Sequence, residues 1–132
     1  MSILRIFSLF LIPLSWIYKL IIILRNKFYD WGILKIASFN TPIISIGNIT
    51  VGGTGKTPMV IYLCDLLKYN GYRPGIVSRG YKRNSKGSII VHDGKNLLTN
   101  VSSAGDEPYM MGSKLNNVPI IVSEKRKIGI QN

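Results

Sequence analysis

The chain has 132 residues, one domain's worth at most, with 17 Lys plus Arg against 6 Asp plus Glu and a formal net charge of +11. That balance suits an acidic partner and excludes a basic one: nucleic acid, an anionic membrane surface and a phosphorylated substrate all remain. A single cysteine, Cys64, excludes an internal disulfide, and its place beside Leu63 in an apolar pattern predicts core packing.

Residues 3–24 are strongly apolar, interrupted by Arg5 and Lys19, and Pro13 predicts a kink in any helix there. The uncharged stretch is shorter than the ~20 residues a spanning helix needs. On a helical wheel Arg5, Ser8, Ser15, Lys19 and Asn26 share an arc of about 80°, with Ile12 intruding. A narrow polar stripe on an apolar helix predicts an element lying in a membrane interface, with a spanning helix as the second reading. Arg25 and Lys27 add attraction to anionic headgroups. Residues 1–28 are thus expected to form a membrane-associated helix. Residues 29–41, broken by Gly32 and rich in aromatics, are expected to form a linker.

From 42 onward the pattern changes. Ile43, Ile44 and Ile46 predict a short buried strand. Then come Thr50-Val51-Gly52-Gly53-Thr54-Gly55-Lys56-Thr57, and a helical pattern over 58–70. Strand, glycine loop, Gly-Lys-Thr and helix form the recipe for cradling a polyphosphate. Glycines let backbone N–H groups converge on phosphate oxygens, and the helix start adds unpaired donors. Lys56 would reach the outer phosphates of a nucleotide, and Thr57 would offer a hydroxyl to Mg²⁺. The strict pattern places glycine where Thr50 stands, and the partitioning-ATPase variant needs a lysine where Val51 stands.

Gly71 closes the helix, and Gly75-Ile76-Val77-Ser78 predicts a second strand, completing a parallel βαβ unit and a three-layer α/β domain. Arg79, Tyr81, Lys82 and Arg83 follow that strand, where ligands of open parallel sheets bind. A solvated basic loop explains them equally well. Asp93-Gly94 between two apolar runs predicts a hairpin, with Asp93 in the turn and His92 structural. Asp106 and Glu107 open a further helical pattern. There they either favour the helix dipole and cap it, or accept the proton of an attacking hydroxyl. Residues 118–122 predict a third strand, and Ser123 an N-cap for a helix beginning at Glu124. Too few strands accumulate for a typical phosphate-loop sheet, so the expectation is the N-terminal portion of something longer.

Four blocks carry a resemblance: I-S-I-G-N-I-T-V-G-G-T-G-K-T-P at 44–58, S-R-G-Y-K-R at 78–83, G-D-E-P at 105–108 and V-S-E-K-R at 122–126. In that order they are similar to the tetraacyldisaccharide 4′-kinases, the lipid A 4′-kinases, whose phosphate loop also lacks the strict first glycine. The resemblance implies a P-loop NTPase-like domain, here partial, over 42–132. It implies transfer of the ATP γ-phosphate, with Mg²⁺, to the 4′-hydroxyl of a lipid A disaccharide precursor at the cytoplasmic face of the bacterial inner membrane. Carried over, Thr50 to Thr57 bind ATP, with Lys56 on phosphate and Thr57 on Mg²⁺. Arg79 and Tyr81 meet the lipid disaccharide. Asp106 is the candidate general base, Glu107 supports it or holds Mg²⁺, and Arg126 faces phosphate. Lys82 departs from the pattern, standing where many members have glycine. The family's further Mg²⁺-binding aspartates and the histidine that partners the base lie beyond residue 132, and His92 does not match that histidine. A membrane-bound switch ATPase is the alternative. Nucleic acid is not the expected partner, since no recognition motif is present.

Overall fold

The computed structural model describes residues 3–48 and 55–131, and for residues 3–11 the backbone alone. It divides into two compact units, 1–42 and 43–132.

The first unit is built on one helix, α1 (Ile3–Asp30), which runs without a break across Pro13. The missing N–H removes one rung of the ladder, yet the helix continues on both sides. Ser15 Oγ donates to the Ile12 carbonyl, 2.7 Å. The C-terminus closes with the Gly32 N–H on the Tyr29 carbonyl, and Gly32 takes the left-handed φ of +71°. Among the described residues no helix is long and apolar enough to cross a membrane.

The second unit carries α2 (Lys56–Tyr69), β1 (Ile76–Ser78), β2 (Ser88–Asp93), α3 (Val101–Ala104), α4 (Asp106–Lys114), β3 (Pro119–Ser123) and α5 (Arg126–Gln131). Its sheet has the order β1-β3-β2, with β1 parallel and β2 antiparallel to the central β3. A register shift between Ile90 and His92 puts one extra residue on β2, so Val91 and His92 are both buried. Helix α2 ends in a Schellman closure: Tyr72 N–H bonds the Leu67 carbonyl and Gly71 N–H the Lys68 carbonyl.

Helices pack on both faces of the sheet. A Cβ built on Gly129 of α5 would lie 2.8 Å from Val77 Cγ1 and 3.6 Å from Ile121 Cγ2. Strand side chains alternate, so Ile76, Ile120 and Val122 point the other way. There they join Cys64 of α2, Met111 of α4, and Leu115 and Val118 in one buried cluster. Burial, with Asp65 beside it, pushes the Cys64 thiol up, as the core reading of that residue expects.

Two expected strands are not formed. Residues 43–48 carry no strand, and Ile43 and Ile44 are 53% and 58% exposed. A strand exists only by bonding to a neighbour, and among the described residues the sheet consists of β1, β3 and β2 without this run. The parallel pair is therefore β1 with β3, not the 43–47 run with β1. The second arm of the 88–99 hairpin likewise reduces to one bridge, His92 to Leu97. Its turn stands: Asp93 Oδ1 accepts from the N–H groups of Lys95 and Asn96 at 2.7 and 2.6 Å. The last helix starts at Arg126, two residues later than expected, and the Ser123 hydroxyl donates to the Lys125 carbonyl rather than capping.

Candidate functional site at the carboxyl edge of the sheet

Strands β1 and β3 are parallel, so their carboxyl ends share one edge. Residues 79–87 leave β1 there, and Glu124 to Arg126 leave β3 there. The start of α4 reaches the same edge. A Cβ on Gly105 would lie 3.0 Å from the Tyr81 carbonyl oxygen, and one on Gly80 would lie 2.9 Å from the Ala104 carbonyl oxygen. Both glycines have positive φ, +88° and +68°, so this contact requires glycine twice over.

Helix α2 joins this edge by its direction. Its C-terminus leads through residues 70–75 into the amino end of β1, and Lys68 Nζ donates to the Asn116 carbonyl, 2.9 Å, just before β3 begins. With Cys64, Val60 and Ile61 packed on the core, the ~21 Å helix points its N-terminus toward the carboxyl edge. Lys56 and Thr57 stand there, Lys56 half-buried and Thr57 buried. Gly55 precedes them in the left-handed conformation, φ +78°, and its carbonyl accepts from the Met59 N–H. Thr50, Val51, Gly52, Gly53 and Thr54 lie outside the described residues.

Asp106 and Glu107 are the first two residues of α4, and both are exposed. The N-cap is Gly105, and no side chain caps the helix. The capping explanation for these carboxylates therefore fails, although their placement at the positive end of the helix dipole remains favourable. Arg79 and Tyr81 are exposed, the latter 77%, beside an open basin of about 420 Å³ lined by Arg79, Tyr81, Lys82, Arg83, Lys86 and Glu124. Lys82 Nζ sits 5.5 Å from the Tyr81 ring centre. Lys82 has φ +60°, a conformation that glycine adopts without strain. Arg126 opens α5 with its side chain exposed. His92 is distant from this role: it is buried in β2, and its Nδ1 accepts from the Gly94 N–H.

One residue of the basic loop, expected to face a ligand or solvent, is instead held by the protein. Arg83 has a side chain only 3% exposed, and its guanidinium donates to Ser85 Oγ, the Gly87 carbonyl and Glu124 Oε1. Its membership in the S-R-G-Y-K-R block was the one signal, but a basic run reads as solvated until its partners are seen. Glu124 itself is held below the usual carboxylate range by its own backbone N–H, with Arg83 adding to this.

The described residues contain no group of three His, Cys, Asp or Glu able to hold a metal. Magnesium in nucleotide sites takes one or two protein oxygens together with phosphates, so a sparse donor set such as Thr57 and Glu107 fits that mode and no other.

Helices packed around a three-stranded sheet, with a Gly-Lys-Thr helix start directed at the carboxyl edge, define a mixed α/β domain. A family model described as tetraacyldisaccharide-1-P 4′-kinase matches residues 7–132. The tetraacyldisaccharide 4′-kinase of Aquifex aeolicus is 50% identical over 119 residues, 90% of this chain and 37% of that protein. That of Bacteroides thetaiotaomicron is 46% identical over 121 residues, 92% of this chain and 30% of its own length. A crystal structure of the "apo" form of LpxK from Aquifex aeolicus in complex with ATP superposes with a TM-score of 0.75 at 50% identity, over 92% of this chain and 38% of that one. The chain belongs to the tetraacyldisaccharide 4′-kinase family, and it spans 37% of the length of the Aquifex relative.

Proposed function

We propose that this chain forms the nucleotide-binding part of a lipid kinase of the P-loop, three-layer type, which transfers the γ-phosphate of ATP to the 4′-hydroxyl of a tetraacyldisaccharide 1-phosphate. The observation that carries the reading is the gathering of Lys56, Thr57, Asp106, Glu107, Tyr81 and Arg126 at one edge of the sheet. Phosphoryl transfer needs little covalent help from protein: it needs cations on the phosphate, an aligned acceptor and a group to take the acceptor's proton.

In this reading Thr50 to Thr57 bind the nucleotide, and Lys56 neutralises charge on the transferred group. The Asp106 carboxylate takes the proton of the sugar hydroxyl as attack begins. Its exposure at a helix start leaves it open to a substrate. Arg126 faces phosphate from the start of α5. Arg79 and Tyr81 hold the disaccharide. Thr57, with Glu107 in a supporting role, would hold magnesium, which would supply charge neutralisation for the phosphates.

Residues 1–28 hold the enzyme to its substrate. The apolar surface of α1 lies in the interface of an anionic bilayer, at the cytoplasmic face of the inner membrane, and residues 29–41 link it to the catalytic unit. The disaccharide offers its hydroxyl at the headgroup level, so a kinase seated there avoids extracting four acyl chains into water.

Since the resemblance places further catalytic residues beyond residue 132, the test is ATP-dependent phosphorylation of the disaccharide, presented in vesicles, by the full-length form, compared with its Lys56→Ala and Asp106→Ala variants. Loss of transfer in both supports the roles. Turnover equal to the unsubstituted chain in either variant refutes the role of that residue.

A further inference from the structure

We propose that Arg83 is the positioning residue of this site, fixing the start of α4, with Asp106, against the Tyr81 loop and the turn into α5. This inference rests on the kinase reading for its purpose, and on geometry alone for its substance.

Two of the four blocks that mark the family meet at this side chain, and the chain of bonds from it leads to the residues just before a third. From within the second block, Arg83 donates to Glu124 in the fourth. Its other arm donates to Ser85 Oγ, and the Ser85 hydroxyl in turn donates to the Ser103 carbonyl, at the entrance to the third block. The neighbouring Asn84 N–H bonds the Ser102 carbonyl, 2.8 Å. A continuous chain of hydrogen bonds therefore runs from Glu124 through Arg83 and Ser85 to the short helix α3, and Gly105 comes directly after it. Gly80 and Gly105 pack backbone against backbone alongside it.

The geometry of a guanidinium suits this task. Its donors point in fixed directions in one plane, so three acceptors, two on its own loop and one just after β3, are held at set angles. A lysine keeps the charge but satisfies the acceptors as a point charge, without fixing their angles. The side chain is 3% exposed, so it serves the protein and not a ligand. Arg79, Lys82 and Lys86 of the same loop are exposed. One basic residue of the run holds the loop, and the others face the basin.

The experiment places nitroxide labels at positions 81 and 107, through Tyr81→Cys and Glu107→Cys in a Cys64→Ala background, and measures their distance distribution in the full chain. With Arg83 present, a single narrow distance is expected. Arg83→Ala loses that narrow distance, and added methylguanidine, which fits the space left by the guanidinium, restores it. Ser85→Ala, a milder change that keeps the charge pair, gives partial broadening. Arg83→Lys remains broad. A narrow distance unchanged in Arg83→Ala or in Ser85→Ala overturns the proposal. A broad distance that methylguanidine fails to restore also overturns it, since the guanidinium is then not the ordering group. None of these readouts requires turnover. If the clamp behaves as expected while Asp106→Ala leaves phosphorylation intact, the kinase role of Asp106 fails and the clamp stands.

Discussion

In α1, Leu14, Trp16, Ile17 and Leu20 are 60%, 73%, 56% and 57% exposed; around β3, Val118, Ile120 and Val122 are fully buried. The side chains are of one kind, and their fates are opposite. What separates them is the company each keeps. Ile120 and Val122 alternate along a strand, so one face meets the helices while hydrogen bonds leave through the edges. The apolar residues of α1 wrap most of the way round a helix, and a helix apolar nearly all round needs an apolar medium to cover it. The buried set holds a fold together, and the exposed set is the surface on which the proposed attachment to a bilayer rests.

Ile120→Ala breaks this comparison most severely. Removing a fully buried side chain beside Met111 and Leu115 costs about 2–5 kcal/mol, read as a lower urea midpoint. Leu20→Ala, in α1, leaves that midpoint within about 0.5 kcal/mol and weakens binding to anionic vesicles instead. Equal losses of folding stability in the two variants would erase the distinction between the regions. A smaller effect comes from charge. Arg25→Gln with Lys27→Gln reduces vesicle binding by about 1 kcal/mol per residue, an effect that fades as salt rises. Insensitivity to salt would remove anionic headgroups from the account.

Within the second unit the expected effects are finer. Lys82→Gly relieves a left-handed backbone while losing a stacked cation, and stabilises by at most about 1 kcal/mol in thermal or urea unfolding. Acid sensitivity arises from Asp93. The N–H groups of Asn96 and Lys95 hold its carboxyl below the usual carboxylate range. Its contribution is therefore complete above the unfolded carboxyl's pKa and is lost as pH falls through the lower, folded value. Asp93→Asn flattens the acid limb of the stability curve, its loss of stability present at neutral pH and vanishing in acid.

Much of the fold was legible because local signals agreed. Gly71 ended α2, the Asp93-Gly94 turn ended β2, and the apolar run at 118–122 became β3. The run Ile43, Ile44, Ile46 carried an equally clear strand signal and formed no strand, since an apolar pattern reports on burial and a strand is defined by its bonded neighbour. The site was legible as a set of blocks, and its roles came from resemblance. Arg83 was not legible, because a clamp is defined by Ser85, Gly87 and Glu124, and the last of these lies 41 residues away. The capping reading of Asp106 and Glu107 was settled by one backbone feature, Gly105 in the N-cap position.

The central claim is that Asp106 and Lys56 serve one phosphoryl transfer at the carboxyl edge of the sheet. The most direct measurement traces γ-labelled ATP into the disaccharide on vesicles, comparing the full-length form with its Asp106→Ala variant. The account predicts label at the 4′ position and a fall of about 10²–10⁴-fold in turnover on losing the base, with the KM for ATP unchanged. Undiminished turnover in Asp106→Ala would contradict it.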